Sequence, residues 1–410
     1  MTEIAAAIFM LTYAGVAVGR IPGLMLDRTG IALLGAIAMV VFGAVTVEQA
    51  ADAVDVSTIL LLYALMIVSA QLRLGGFYTW VVLKSTAFLD YPRTFLFSVM
   101  LLSAVLSAIL ANDIVCLAFT PVLAVTLLSA RVNPAPFLIG LAMASNIGSA
   151  ATIIGNPQNM LIGQMGRLDF GQFIAWCAPP SIAALLAAYL LICWLYRSRF
   201  VVSIPGRELS RNGVWPEFNA WQSGKGLMAA AVLMALFFSP VPREYAAIGV
   251  AGVLLCSRKL RSRSMLELID WHLITLFCAL FVIIQGIVAY DIPASVIAYL
   301  GRYGIDPGSL FILTGVSAVM SNMVSNVPAV ILLIQFIDPA DPSAWHVLAV
   351  SSTFAGNLIL IGSIANLIVI EQARNFGIEI GFKEHARAGI PVTLISLAIL
   401  CGWILLRPFQ

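Results

Sequence analysis

The stretch SNIGSAATIIGNPQN, residues 145–159, places carboxamides, hydroxyls, glycines and a proline between the apolar runs 137–144 and 160–163. A second stretch, residues 355–366, does the same with Asn357, Gly362, Ser363 and Asn366. Two longer apolar stretches, 94–130 and 308–337, each carry one polar kink: Asn112-Asp113 in the first, Ser325-Asn326 followed by Pro328 in the second. No nucleophile stands beside a base in any of them. What they offer is oxygen ligands and broken backbone. Free carbonyls with Asn, Ser and Thr oxygens hold a cation, and the N-termini of half-helices favour an anion. The candidate ligand set is therefore Asn112, Asp113, Asn146, Thr152, Gly155, Asn156 and Asn159 in the first half. In the second half it is Ser325, Asn326, Asn357, Gly362, Ser363 and Asn366.

Asp113 stands apart as the only charged residue between Thr94 and Ala130. A carboxylate at mid-membrane costs on the order of 3 kcal/mol on insertion scales, so it is kept for a reason. It can carry a coupling proton or cation, or it can cap the helix that starts there; the two are compatible. The other polar residues have a plainer alternative, since small residues also let membrane helices pack closely. Four breaks arranged two by two favour a binding site.

Other chemistries lack their residues. An intramembrane aspartyl protease needs two facing carboxylates at depth. A zinc site needs clustered His, Cys or Asp. Direct ATP drive needs a P-loop or a partner subunit. The chain is expected to be no enzyme, to have no catalytic residues and no bound cofactor, and to use Na⁺ or H⁺ only as a coupling ion. A passive channel differs in that it neither saturates nor accumulates.

These residues need a membrane scaffold. The chain has 410 residues, 61% hydrophobic and 10% charged, with mean hydropathy +1.00. A soluble domain carries roughly a quarter charged residues. Candidate spans are 4–19, 30–47, 57–72, 134–165 (broken), 176–196, 226–240, 245–256, 272–289, 344–370 (broken) and 388–406, with 94–130 and 308–337 as re-entrant hairpins. The first span has no basic residue ahead of it and reads as a retained helix. With both termini outside, every one of the 22 lysines and arginines except Arg167, Arg243, Arg302 and Arg407 falls on the cytoplasmic side. The six cysteines are scattered and no disulfide is expected. Residues 170–176 read as an interfacial helix, and Trp271, Trp345 and Tyr290 as interface anchors. His346 and His385 are expected near opposite faces, away from the centre. The net charge of +2 gives no reason to expect nucleic acid.

Five segments recur in the same order, among them IIGNPQNMLI from Ile153 and LIGSIANLIV from Leu360, which pair Gly155 with Gly362 and Asn159 with Asn366. The first copy begins outside and the second inside, so they are inverted repeats, as in many secondary transporters. The division expected is 1–56 N-terminal helices, 57–196 first transport repeat, 197–225 cytoplasmic linker, 226–270 linking helices and 271–410 second transport repeat. The fold class is an all-α polytopic membrane protein with two inverted repeats, each holding a re-entrant hairpin and a broken helix.

The motifs ANDIVCLAFTP, GNPQN, SNVPAVILL and GSIAN resemble the ion transporter superfamily, over nearly the whole chain. That group holds arsenite efflux pumps, sodium:proton antiporters, citrate transporters and divalent anion:sodium symporters. The resemblance is strongest to an uncharacterised bacterial inner-membrane branch near the arsenite pumps. It implies a homodimer working as an elevator in the bacterial cytoplasmic membrane. In the carboxylate symporters each hairpin tip reads Ser-Asn-Thr and holds sodium and substrate. By that resemblance, sodium would sit at Asn112, Asp113, Ser325 and Asn326. Both asparagines match and neither threonine does, while the Asn-Asp pair is similar to the arsenite pumps. The function expected is an ion-coupled secondary transporter for a small anion or oxyacid. The alternatives are a sodium:proton antiporter or a dicarboxylate or citrate symporter. The other partners expected are membrane lipids.

Overall fold

The computed structural model describes residues 1–19, 23–200, 217–303 and 308–407. Among them are twenty α-helices and no strand, and the helices fall into two series of ten in matching order. The first series opens with α1 (Thr2–Val18), α2 (Arg28–Val41), α3 (Val47–Ala53), α4 (Val56–Leu74) and α5 (Phe77–Ser85). It continues with α6 (Pro92–Ile109), α7 (Asn112–Ser129), α8 (Ala135–Ser149), α9 (Pro157–Met165) and α10 (Phe170–Leu195). The second opens with α11 (Ala220–Phe237), α12 (Arg243–Leu255), α13 (Ser262–Leu266), α14 (Trp271–Val288) and α15 (Ile292–Arg302). It closes with α16 (Leu310–Val324), α17 (Asn326–Leu333), α18 (Pro342–Ala355), α19 (Ile364–Arg374) and α20 (Phe382–Leu406). Six helices are long and apolar enough to cross a bilayer: α4, α6, α7, α10, α14 and α20.

Helix starts follow from local chemistry. Asp55 caps α4 by accepting from Thr58 N (2.6 Å), and Asp270 caps α14 by accepting from Leu273 N (2.9 Å). Each satisfies an amide that the helix leaves unpaired. The halves are interleaved: α2 packs against α14, and α12 against α4.

In element order, α1–α3 stand at the positions in the first series that α11–α13 hold in the second. The linker expected at 197–225 falls largely outside the described residues. Residues 170–176 form no separate interfacial helix; α10 runs unbroken through Pro179 and Pro180. Its start is set by Asp169, which accepts from Gln172 N (2.7 Å), and prolines are tolerated in membrane helices where freed carbonyls find other partners. Trp345 is no interface anchor. It is buried against Gly166, because α18 runs through the protein interior. Trp271 is exposed.

Candidate functional site

The kinks and breaks meet. At the first tip, Leu110 and Ala111 separate α6 from α7, so Asn112 is the first residue of α7. Its backbone N–H donates to Gly155 O (3.1 Å) in the unwound segment between α8 and α9. At the second tip, Ser325 separates α16 from α17, and Asn326 is the first residue of α17. Oriented as a donor, the Asn326 amide reaches Gly362 O (3.1 Å) and Ser352 O (3.2 Å) in the other broken segment. Each tip asparagine is thus tied to the glycine just before the N-cap of the following half-helix.

Both unwound segments are held by the same device. Asn159, third residue of α9, donates to Ser149 O (3.3 Å) and Thr152 O (3.0 Å). Asn366, third residue of α19, donates to Gly356 O (2.8 Å) and Ile359 O (3.4 Å). One carboxamide therefore satisfies two carbonyls that the break leaves without helical partners, as buried backbone requires. The N-caps also match. Asn156 accepts from Asn159 N (2.8 Å), and Ser363 accepts from Ala365 N (3.2 Å). Glycine is required at Gly155, where a Cβ would lie 2.2 Å from Ser149 O, and at Gly362, where it would lie 2.7 Å from Asn322 Oδ1.

The two halves are then stitched together. Asn146 is bonded to the first tip through Asn112 Nδ2 (3.3 Å). It donates across to Asn357 Oδ1 (2.8 Å) and Asn366 Oδ1 (3.3 Å), and it accepts from the N-cap Ser363 (2.9 Å). Thr353 occupies the matching place on α18. It accepts from the opposite N-cap, Asn156 (3.3 Å), and from Gln158 Nε2 (3.4 Å). All of the candidate residues fall in this region. Thr152 plays a supporting part, since its hydroxyl donates to Ala108 O on the first hairpin.

At the centre is a cavity of about 20 Å³, lined by Asn112, Asp113, Gln158, Ser325, Asn326 and Ser363, among others. That is room for a group of about the size of one water. Four helices begin at its wall: α7, α9, α17 and α19. Their N–H ends all favour negative charge or oxygen lone pairs. Asp113 is the one carboxylate on the wall, and among the described residues its side chain has no hydrogen-bond partner. Asn112 Oδ1 is buried and without a partner as well, an acceptor awaiting a donor or a cation.

Three contributors went unread in the sequence: Thr353 on α18, Gln158 and His385. Gln158 lines the cavity, and it was passed over as part of the polar run. His385 is buried rather than near a face, with Nε2 3.2 Å from Asn357 O, one contact behind the Asn146 network. Nothing in its surroundings, KEHARAG, signals that placement. His346 is buried too; Nδ1 contacts Pro342 O at 2.5 Å, and its ring lies against Phe173 and Trp176.

An all-helical bundle that crosses a membrane and converges two tips and two broken helices on one polar cavity has the architecture of a transporter. The chain belongs to the citrate transporter family, whose profile (CitMHS, Citrate transporter) matches residues 8–355. It is similar to the 46 kDa membrane protein of Mycobacterium leprae, 29% identical over 99% of both chains. It is also similar to the silicon efflux transporter LSI3 of Oryza sativa subsp. japonica, 26% identical over 92% of both chains. Among solved structures it matches the YdaH transporter of Alcanivorax borkumensis with TM-score 0.57 at 14% identity, covering 99% of this chain and 97% of that one. That likeness speaks to the fold. The protein is a multi-pass bacterial membrane transporter and not an enzyme.

Proposed function

We propose that the protein is an ion-coupled secondary active transporter for a small anion or oxyacid. The observation that carries this reading is the central cavity. Four helix N-termini ask for oxygen or negative charge, and the orphan Asn112 Oδ1 asks for a hydrogen-bond donor. A small oxyacid supplies both. A sodium:proton antiporter would place a bare cation against four positive dipole ends, which is unfavourable unless Asp113 neutralises them.

Asp113 is the natural carrier of the coupling proton or Na⁺, with Asn112, Ser325 and Asn326 as further oxygen ligands. The family resemblance adds a homodimer and an elevator motion. In that scheme α6–α9 and α16–α19 move as one body, because the Asn146 network ties both sets together.

The test is a thermal-shift screen of purified protein with arsenite, silicic acid, phosphate and citrate, with and without Na⁺ or Li⁺ across pH. Proteoliposomes then measure uptake of the binders. Saturable accumulation against a concentration gradient, driven by an imposed H⁺ or Na⁺ gradient, is the expected result. Flux that neither saturates nor accumulates would make the protein a channel.

A further inference from the structure

Two large cavities are lined by the matching elements of the two helix series. One, of about 620 Å³, is lined by Arg28, Thr29, Asp270, His272 and Glu371 among others. The other, of about 700 Å³, is lined by Arg243, Glu244, Asp55, Ser57 and Gln164 among others. The correspondence is residue by residue. Arg28 and Arg243 are the first residues of α2 and α12, and Thr29 and Glu244 the second. Asp270 and Asp55 cap α14 and α4. His272 and Ser57 are the second residues of those helices, and Glu371 and Gln164 are the eighth residues of α19 and α9. By the distribution of basic residues, the Arg28 side is cytoplasmic and the Arg243 side external.

The two sides differ in one respect. On the Arg243 side the guanidinium reaches over the C-terminal end of α9 and donates to Gly163 O (3.3 Å) and to Leu168 O. Beside it, Gln164 Nε2 donates to Glu244 Oε2 (3.1 Å). This cavity has no hairpin-tip residue in its wall. On the other side Arg28 has no hydrogen bond or ion pair among the described residues. That cavity runs inward to Ser325, Val327 and Ile364, all of which also line the central cavity. One side is latched shut and its counterpart is unlatched.

We infer that Arg243 and Arg28 are alternating latches: Arg243 seals the external side in this conformation, and Arg28 seals the cytoplasmic side in the opposite one. This rests on the transporter reading above. In the opposite conformation Arg28 donates to the free carbonyls at the C-terminal end of α19, where a helix leaves acceptors without partners. The second contact is conserved in chemistry with its roles exchanged. On the external side the carboxylate is on α12 (Glu244) and the donor on α9 (Gln164). On the cytoplasmic side the donor is on α2 (Thr29) and the carboxylate on α19 (Glu371). Either pair joins a neutral side-chain donor, an amide in one and a hydroxyl in the other, to a carboxylate. Arg28 and Glu371 already face one cavity, so the latch needs no remote partner.

The test uses the full-length protein without its native cysteines and two reporters, Met160→Cys and Leu367→Cys. These are the fourth residues of α9 and α19. Leu367 lines the open cavity, while Met160 is 1% exposed. The rate of maleimide labelling is measured for each. Losing one charge-assisted bond on one side should change the Met160-to-Leu367 labelling ratio by about tenfold. Arg243→Gln raises the ratio, because the external side opens. Arg28→Gln lowers it, because the externally open state loses its latch. Should Arg243→Gln fail to fold, Arg28→Gln decides alone, since Arg28 holds nothing in this conformation. An unchanged ratio in Arg28→Gln, or shifts in the same direction in both variants, overturns the inference. Accumulation in proteoliposomes is measured in parallel. A ratio that responds in a protein that never accumulates substrate sinks the transporter reading and leaves the latches. A ratio that does not respond in a protein that does accumulate sinks the latches alone.

Discussion

At the first hairpin tip Ala111 lies at φ −58°, ψ 125°, an ordinary extended conformation, and the helix it introduces begins Asn112-Asp113. At the second tip Ser325 lies at φ 74°, ψ 162°, a region that only glycine visits freely, and the helix begins Asn326-Val327. The first tip is relaxed and charged, and the second is strained and neutral. Around them the paired carbonyl bonds of Asn159 and Asn366 and the half-helix N-caps match. The clearest difference therefore lies at the points that face the central cavity. The first half contributes the titratable group, and the second a backbone held under tension next to the cavity. Strain of this kind persists only where surrounding structure over-determines it. Here the Asn326 bonds and the packing of α16 against α18 supply that constraint.

The comparison can be broken at its charged point first. Asp113→Asn keeps the shape of the first tip and removes its charge. It should fold and reach the membrane, yet lose accumulation driven by an H⁺ or Na⁺ gradient, while exchange without a gradient survives. Wild-type accumulation with wild-type pH dependence in the variant would remove Asp113 from the coupling role; it is no side-chain cap either, since α7 has none. The next largest effect concerns what the halves share. Asn159→Ala and Asn366→Ala each strip two carbonyls of their donor. Each should destabilise by about 2–4 kcal/mol, at roughly 1–2 per orphaned group, and the two should agree to within a factor of about two. Unfolding in a mild detergent by denaturant measures this, and a large cost in only one would end the equivalence of the breaks. The smallest effect has opposite signs in the two tips. Ser325→Gly should stabilise by about 1–3 kcal/mol by releasing strain. Ala111→Gly should destabilise by about 0.4–1 kcal/mol through unfolded-state entropy. The same unfolding assay reads both.

Much of this site was legible in the sequence because a membrane makes polar residues conspicuous. Asn112, Asp113, the run 145–159 and the Gly362–Asn366 segment stand out against apolar flanks, and the pairing of Asn159 with Asn366 follows from the matching order of segments. What lay hidden depends on contacts across the molecule. The pairings of Asn146 with Ser363, and of Thr353 with Asn156, carry no local signal. Ser325 looks like any serine until its φ is seen. Helices α1–α3 and α11–α13 share almost no residues; only helix order and the placement of Arg28 and Arg243 align them. Residues 170–176 read as a separate interfacial segment, yet they are the first turns of α10, which runs on through Pro179 and Pro180.

The central claim is that both halves build one site. It is tested most directly by a double-mutant cycle on Asn112→Ala and Asn326→Ala, read as affinity for whichever of arsenite, silicic acid, phosphate or citrate most raises the wild-type melting temperature. Each single variant should lose about tenfold in affinity. The double variant should depart from the sum by at least ~0.5 kcal/mol, as residues sharing one ligand do. Wild-type binding in both single variants, or strict additivity in the pair, would contradict a shared site.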